Sequence, residues 1–292
     1  MASKFPGEAT ADHALTAITH DGAFRVIVAR TAETVSASLK AQADPGPDAS
    51  AYADVLTATI LVRLTMAPTY RVQGIVRGAG GRGTLVGDSH PNGTARGLIQ
   101  RPTGLERISV GEGALMQMMR TLPRGDTHQG IVQVPHGGVS EALMSYLQSS
   151  EQLTSVAQVG TLMEDEYAVA AGGYVVQLLP EVSRDPLEVM TARLSTPPFS
   201  DRMGTVRMLQ ESPAMLLGEI LYGMPYELTQ QEQLRFGCHC SRVRVLASLS
   251  TLPRSDIEDL MKDGEELHIT CDYCGQAYAL SPEALVGLLS TS

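Results

Sequence analysis

The sequence that decides the architecture is Phe236-Gly237-Cys238-His239-Cys240, followed after residues 241–270 by Cys271-Asp272-Tyr273-Cys274-Gly275. The 292-residue chain has 4 cysteines, and all of them lie in these two motifs. Thiolates are soft ligands, four of them close a tetrahedral site around Zn²⁺, and a C-x-x-C turn lets two sulfurs reach one metal. The spacing therefore predicts one zinc site with Cys238, Cys240, Cys271 and Cys274 as its ligands.

The spacing alone leaves open whether this site is structural or regulatory. A metal can simply stabilise a short C-terminal segment that has a small core, or its binding and release can regulate the rest of the protein. A thioredoxin-like oxidoreductase would need the C-x-x-C at a helix N-terminus inside a βαβ unit, and the sequence predicts no such unit. With four thiolates available, we interpret His239 as a bystander and Asp272 and Tyr273 as residues that shape the turn.

Composition narrows the class of protein. The formal net charge is −10, and 43% of the residues are hydrophobic, which allows a sizeable core. Because no basic stripe appears, we expect no nucleic-acid partner. Met1–Thr16 lacks the apolar stretch of a secretory signal, and no run of about 18 apolar residues predicts a membrane span. We expect a cytosolic protein, in which clustered cysteines are metal ligands or redox groups more often than structural disulfides.

Residues 1–180 are predicted to form an α+β core domain with an antiparallel sheet and helices. Apolar spacing favours a helix over Ala51–Met66, and alternation favours a strand over Tyr70–Val76. Antiparallel strands with helices grouped between them define the α+β class. The other elements predicted here are strands at Ala23–Val28, Thr84–Val86, Ala95–Ile99 and Gly130–Val134, paired strands within Tyr167–Leu178, and helices at Ala32–Ala43 and Val139–Gln148.

Residues 181–235 are predicted to form a metastable helical linker. The chain changes character at Pro180, and this segment holds 5 prolines and 5 of the 13 methionines. Ser212-Pro213 is typical of a helix N-cap followed by its first residue. A segment so rich in proline has limited stability of its own, because proline interrupts helices.

Residues 236–292 are predicted to form a small zinc-binding domain. Ser255-Asp256-Ile257-Glu258 has the pattern of a capping box that opens a short helix, and Gly264 is placed to end it. Leu267–Thr270 alternates and leads into Cys271, Gln276–Leu280 is predicted as the return strand, and Ser281-Pro282 as the start of a final helix.

The residues around the cysteines resemble the 33-kDa heat-shock proteins, the redox-regulated holdase chaperones of the cytosol. C-x-C followed about thirty residues later by C-x-x-C is the defining pattern of that family. The resemblance extends over most of the chain, through Gly22–Val26, Ala95-Arg96-Gly97 and Ala171–Pro180. Val243 departs from it, because the family usually carries an acidic residue at that point.

This resemblance implies a regulatory site. In such proteins the reduced form binds one zinc ion and is a poor chaperone, and oxidants such as hypochlorous acid release the metal. The resemblance also implies disulfides between neighbours, Cys238–Cys240 and Cys271–Cys274, which close loops too small to replace the metal. The zinc domain and the linker then unfold, and methionine and leucine side chains become available to unfolding client proteins. The family forms homodimers when active and protects against oxidative and heat stress.

Two rival functions remain open at this stage. A zinc-ribbon module for nucleic acid or a protein partner would use basic residues near the cysteines, such as Arg235, Arg242 and Arg244, but acidic residues dominate 256–266. An enzyme would need a convergent set of histidines or carboxylates, which the 7 scattered histidines do not supply. We therefore expect a protein that is not an enzyme.

Three further motifs are interpreted as structural. Gly78-x-Gly80-x-x-Gly83 lacks the strand-then-helix context of a dinucleotide site and is predicted to be a flexible hairpin loop. Asp88-Ser89-His90 lacks the context of a nucleophile elbow and is predicted to be a loop. Glu164-Asp165-Glu166 is interpreted as a solvated run of charges.

Overall fold

The N-terminal part of the chain alternates between strands and helices. The structure, a computed structural model, describes residues 11–42, 44–165, 167–179, 184–262 and 264–289. Its elements up to residue 179 are β1 (His13–Thr19), β2 (Phe24–Arg30), α1 (Ala32–Lys40), α2 (Ala49–Thr65), β3 (Arg71–Arg77), β4 (Thr84–Ser89), β5 (Thr94–Gln100), β6 (Leu115–Thr121), β7 (Thr127–Gln133), α3 (Val139–Ser149), β8 (Ser155–Glu164) and β9 (Tyr167–Leu178).

The C-terminal part begins with helices and ends in a small separate sheet. Its elements are α4 (Arg184–Leu194), α5 (Arg202–Glu211), α6 (Pro213–Ile220), β10 (Tyr226–Gln233), β11 (Arg235–Phe236), α7 (Arg242–Leu249), α8 (Arg254–Leu260), β12 (Leu267–Thr270), β13 (Ala277–Leu280) and α9 (Pro282–Leu289). Residues 181–183, the predicted start of the linker, lie outside the described residues, as does Pro180 before them.

The first sheet is antiparallel and has the strand order β10-β1-β2-β9-β8. Successive side chains of a strand point to opposite faces, so Ile27 and Ala29 face one layer while Val26 and Val28 face the other. The two pairs belong to two different apolar clusters, and all four side chains are buried. The uninterrupted apolar run of β2 therefore reflects a strand that is covered on both faces.

The second sheet has the order β11-β5-β4-β3-β6-β7, and α2 lies between the two sheets. The close approach of α2 explains one glycine, because a Cβ at Gly74 would lie 2.2 Å from Thr59 Oγ1. Arg63 of the same helix is buried, donates to Ser89 Oγ at 2.8 Å and forms an ion pair with Glu232 of β10. Helix α2 is thus bonded to a strand of each sheet.

Helices α5 and α6 cover the outer face of the first sheet, where α5 packs on β8 and β9 and α6 packs on β1 and β2. Ser212 caps α6 by accepting a hydrogen bond from the Met215 N–H at 3.1 Å, as the sequence predicted. Asp54 of α2 is buried and forms an ion pair with Arg202 of α5. The apolar cluster beneath these helices and α4 includes Leu15, Phe24, Val26, Val28, Tyr174, Val176, Met190, Leu194, Phe199, Leu209, Leu216, Leu217, Ile220 and Leu221.

The segment 237–289, which we call the cysteine module, has little core of its own. Among its described residues, three apolar side chains are buried: Ile257, Leu280 and Leu285. Strands β12 and β13 form a two-stranded antiparallel sheet, and α9 packs against α7 and α8. So small a core gives weak support to independent folding.

The α+β prediction is confirmed, and several local predictions need correction. Tyr167–Leu178 is one long strand rather than a pair, and its partner β8 was not predicted. Strands β6 and β10 and helix α7 were also missed. The capping box at Ser255 is wrong, because α8 begins at Arg254 after an N-cap at Pro253 that makes no side-chain bond. Asp88 and Ser89 lie in β4 rather than in a loop.

The glycine run between β3 and β4 is a hairpin connection, as predicted. The Gly78 N–H donates to the Gly83 carbonyl at 3.0 Å, and β4 follows immediately. Within the described residues, no helix has both the length and the apolar character that crossing a membrane requires.

Candidate metal centre

The four cysteine sulfurs converge on one point. The Sγ atoms of Cys238, Cys240, Cys271 and Cys274 all lie within 4.8 Å of one another. The Cys238–Cys271 pair is separated by 3.8 Å and the Cys240–Cys274 pair by 3.4 Å. Four sulfurs about 2.3 Å from a common centre form a tetrahedron with edges of about 3.8 Å. The site therefore has the size and the donor set that a metal ion such as zinc requires.

Two short loops deliver these sulfurs. Cys238 and Cys240 follow β11 directly, so the end of the second sheet positions them. Cys271 follows β12 and opens a tight turn in which its carbonyl accepts from the N–H groups of Cys274 at 3.2 Å and of Gly275 at 2.8 Å. Gly275 takes a positive φ of 71°, which a side chain would disfavour, so the glycine after the C-x-x-C is required by the turn.

Two side chains donate hydrogen bonds to the sulfurs. Arg96 Nη1 lies 3.0 Å from Cys238 Sγ, and the Tyr278 hydroxyl lies 3.0 Å from Cys240 Sγ. Burial disfavours the Cys238 thiolate, but the backbone N–H of Cys240 and the Arg96 guanidinium outweigh it and lower the pKa of Cys238 to about 7. Burial raises the pKa of Cys274 well above its usual range. Of these two thiols, Cys238 therefore releases its proton more easily than Cys274.

Beneath the sulfurs, on the outer face of the second sheet, lies a group of polar side chains around the buried Asp88 carboxylate, which we call the Asp88 cluster: Asp88, Arg71, His90 and Arg96. The Asp88 carboxylate accepts from Arg71 Nε at 2.6 Å and from Arg96 Nε at 3.0 Å, and its side chain has 0% exposure. Burial disfavours this carboxylate, but His90 and Arg71 outweigh the cost and hold the pKa of Asp88 well below its usual range.

The cysteine module contacts this sheet through further side chains. The Arg96 guanidinium carbon lies 4.1 Å from the centre of the Tyr273 ring. His239 Nε2 lies 2.8 Å from Thr94 Oγ1, and its ring lies 4.3 Å from that of His90. His239 is therefore outside the group of sulfurs, and it forms part of the contact with the sheet.

The sequence brought together the four cysteines but missed their surroundings. Asp88 was assigned to a loop, Tyr273 to the turn alone, and Arg96 and Tyr278 were given no role. One signal was available, because Pro91-Asn92-Gly93 predicts a hairpin, and a hairpin there places Asp88 opposite Arg96 across β4 and β5.

Other predicted features lie away from the sulfurs. Val243, the departure from the family pattern, is 75% exposed on α7. Glu164 ends β8 and Asp165 lies in the following turn, whereas Glu166 falls outside the described residues.

The fold and the site together define a class: a two-sheet α+β protein that carries four clustered thiols on a small C-terminal module. A family model described as "Hsp33 protein" matches residues 12–281. The chain therefore belongs to the Hsp33 family.

Similar proteins agree with this assignment. The 33 kDa chaperonin of Syntrophotalea carbinolica is 27% identical over 290 residues, covering 96% of this chain and 99% of that protein. The 33 kDa chaperonin of Bacillus subtilis is 25% identical, covering 95% and 98%. The crystal structure of a 33 kDa chaperonin, a heat shock protein 33 homolog from Thermotoga maritima, has a TM-score of 0.81 at 22% identity and covers 97% of this chain and 99% of that one. These relatives are named as chaperonins rather than as enzymes, which supports a chaperone.

Proposed function

We propose that this chain is a redox-regulated holdase chaperone of the cytosol, which binds unfolding proteins after its four thiols are oxidised. Residues 236–292 would act as the redox switch, 181–235 as the metastable linker and 1–180 as the core. Cys238, Cys240, Cys271 and Cys274 would hold one zinc ion in the reduced form. That ion, when bound, keeps the sulfurs as thiolates and contributes about 10 kcal/mol to folding of the module.

The proposed chemistry is oxidation of two pairs of neighbouring thiolates. Cys238 and Cys240 give up two electrons to hypochlorous acid, and with one proton the products are a disulfide, chloride and water. Cys271 and Cys274 react in the same way with a second oxidant molecule. Each disulfide closes a very small loop and constrains the unfolded chain little, so the module loses its main source of stability.

The observation that carries this proposal is the apolar cluster beneath α4–α6. Helices α5 and α6 cover the outer face of the first sheet, where Val26, Val28 and Val176 are buried. Release of these helices would uncover an apolar sheet face, and such a face binds unfolded chains. Methionine suits promiscuous surfaces, and Met190 and Met208 belong to the same cluster or pack on it.

The route from the switch to the linker runs through β10 and β11. The module contacts the second sheet, whereas α5 and α6 lie on the first, and β10 and β11 join the two regions along the chain. Loss of the module frees the end of β11, which pairs with β5 through Arg235 and Phe236 only. Strand β10 keeps its pairing with β1 but loses its continuation into β11, and α6, which precedes β10 in the chain, then leaves the sheet. The oxidised chains are expected to associate as homodimers.

The test is chaperone activity before and after oxidation with zinc release followed in parallel. The reduced, zinc-loaded chain should fail to prevent aggregation of a thermally unfolding client. After treatment with hypochlorous acid it should release one zinc ion per chain and suppress aggregation. Replacing all four cysteines by serine removes both the metal and the oxidation step, so this variant should suppress aggregation to the same extent with and without hypochlorous acid. Full activity of the reduced, zinc-loaded chain would refute the proposal.

A further inference from the structure

The contact between the cysteine module and the second sheet converges on one side chain. Arg96 stands on the outer face of β5 with 12% exposure. Its guanidinium donates to Cys238 Sγ at 3.0 Å and stacks on the Tyr273 ring at 4.1 Å. Cys238 belongs to the C-x-C motif and Tyr273 lies within the C-x-x-C motif. A single arginine of the core therefore contacts both halves of the metal site.

Asp88 fixes the position of this arginine. It accepts from Arg96 Nε at 3.0 Å, and Arg71 and His90 hold the same carboxylate at 2.6 Å and 3.2 Å. Because the carboxylate is buried and has three partners, the guanidinium fork has little freedom to turn. The sheet, and not the module, therefore fixes the position of the Arg96 N–H group that faces Cys238.

We propose that Arg96 is a positioning residue that docks the module on the second sheet until Cys238 is oxidised to a disulfide. The proposal rests on the redox response proposed above. A thiolate is a charged acceptor for a guanidinium, whereas a sulfur in a disulfide is uncharged and accepts weakly. When Cys238 and Cys240 pass two electrons to hypochlorous acid and form their S–S bond, Arg96 loses its charged partner. Rearrangement of the C-x-x-C turn then removes the Tyr273 ring.

Two backbone hydrogen bonds report whether the module is docked. The Arg235 N–H donates to the Gly93 carbonyl at 3.1 Å, and the Gly237 N–H donates to the Ala95 carbonyl at 3.0 Å. A Cβ at Gly237 would lie 2.8 Å from Thr94 Cγ2, so the chain is pressed against β5 at this point. Amide exchange at positions 235 and 237 therefore measures docking without reference to chaperone activity.

The first experiment compares Arg96→Gln with Arg77→Gln in the full, reduced, zinc-loaded chain. Arg77 is exposed at the far end of the same sheet face, so its substitution is a control for the loss of one charge. In Arg96→Gln we expect one zinc ion to stay bound while the amides of residues 235 and 237 exchange at least about tenfold faster, as expected for local opening. Exchange in α7–α9 should stay as in the wild type. Arg96→Lys keeps the charge but lacks the planar guanidinium. Its amide exchange at residues 235 and 237 should therefore be faster than in the wild type and slower than in Arg96→Gln.

A second measurement separates positioning from simple loosening. The thiols are reacted with an anionic aromatic disulfide and with a neutral one of similar size. Loosening alone would raise both rates by the same factor. Loss of a cation beside Cys238 should lower the ratio of the anionic to the neutral rate by roughly threefold, as a charge at this distance from a partly exposed sulfur would. Arg77→Gln should leave the ratio unchanged.

Wild-type exchange at positions 235 and 237 in zinc-loaded Arg96→Gln would overturn the proposal, and so would an unchanged ratio of rates. If that variant fails to fold, Tyr273→Leu removes the stacking partner from the module side and should undock it in the same way. Both measurements use the reduced protein. A wild-type chain that gains no activity on oxidation would refute the proposed function alone, whereas a docked Arg96→Gln would refute only the role of Arg96.

Discussion

At the scale of single residues, the candidate metal centre is defined as much by what donates to the sulfurs as by the sulfurs. Arg96 and Tyr278 reach Cys238 and Cys240, the two members of the C-x-C motif. Hydrogen bonds to a thiolate stabilise it and make it less nucleophilic. The two donors therefore set how readily this half of the site reacts.

Tyr278→Phe should speed oxidation without removing the metal. The hydroxyl donates to Cys240 Sγ at 3.0 Å, and the hydrogen bond raises the pKa of Tyr278 to about 12. Loss of this hydrogen bond should leave a more nucleophilic sulfur, and we expect roughly three- to tenfold faster zinc release under peroxide. A chelating dye measures the release.

The control for this substitution is Tyr222→Phe, at a tyrosine that is 74% exposed on the turn after α6. It should release zinc at the wild-type rate. Loss of zinc from Tyr278→Phe before any oxidant is added would contradict the prediction, because the hydroxyl would then be needed for binding.

The sequence identified the four clustered cysteines as candidate ligands because four cysteines at this spacing have few other uses. The partners of the ligands could not be identified in the same way. Arg96 and Asp88 are common residue types, and their importance comes from a sheet face that the module covers 142 positions later in the chain. The local sequence is enough to predict that Asp88 pairs with Arg96 across a hairpin. Only the tertiary fold shows that this pair lies under Cys238.

At the scale of elements, α5 and α6 decide whether the first sheet is accessible. Leu217 of α6 and Leu209 of α5 are buried against that sheet. Arg193 of α4 donates to the Ile220 carbonyl at 2.6 Å, which ties the first helix of this group to the last. The group is held to the sheet mainly by apolar contacts.

Leu217→Ala should give partial chaperone activity in the reduced chain. A buried Leu→Ala substitution costs about 2–5 kcal/mol, and here the cost falls on the contact between α6 and the sheet. Light scattering of an unfolding client measures the activity, and zinc content should stay at one ion per chain. Leu143→Ala in α3 is equally buried in the other cluster and should destabilise the core without activity. Equal activity in both variants would show that general destabilisation suffices.

The contact between α2 and α5 should depend on pH. Burial raises the pKa of Asp54 from 3.8 to about 6, against the opposing attraction of Arg202 and the hydrogen bond from Thr161. A pKa raised in the folded state adds stability that is complete below about pH 4 and is lost as the pH rises through about 6. Between pH 7 and pH 5 the wild type should gain about 1 kcal/mol of unfolding free energy from this group.

Asp54→Asn tests this expectation by urea unfolding at both pH values. Asparagine keeps an acceptor for the Thr161 hydroxyl but cannot titrate, so the gain between pH 7 and pH 5 should fall by about 1 kcal/mol. The exposed Asp126→Asn, in the turn before β7, should show the wild-type difference. The same gain in Asp54→Asn as in the wild type would contradict the assignment.

Elements with a strong local signal were predicted, and elements defined by distant partners were not. Helix α2 and strand β2 are rich in apolar residues and were found. Strand β10 reads Tyr-Glu-Leu-Thr-Gln-Gln-Glu-Gln, a polar sequence that forms a strand because β1 offers it an edge more than 200 residues away in sequence. Such pairing is decided by tertiary contacts rather than by local propensity.

At the scale of the whole molecule, the cysteine module and the core should unfold separately. The module buries three apolar side chains among its described residues, whereas the core surrounds α2 with two sheets. A strong chelator in reducing buffer should therefore lower the helical circular dichroism of α7–α9 and leave the main thermal transition in place. Zinc should restore the signal. A chelated chain with the full signal would show that the module folds without metal.

Strand β10 limits how far the chain between β9 and β10 can move when its helices leave the sheet, as proposed above. It stays paired with β1 and is fastened by the ion pair between Glu232 and the buried Arg63, while β9 holds the chain at Leu178. Strands β9 and β10 are three positions apart in the sheet, about 14 Å at the usual strand spacing. The segment between them is therefore anchored to the sheet at both of its ends. In the proposed function, its return to the sheet would be an intramolecular event at high effective concentration, and reduction of the thiols would therefore release a bound client quickly.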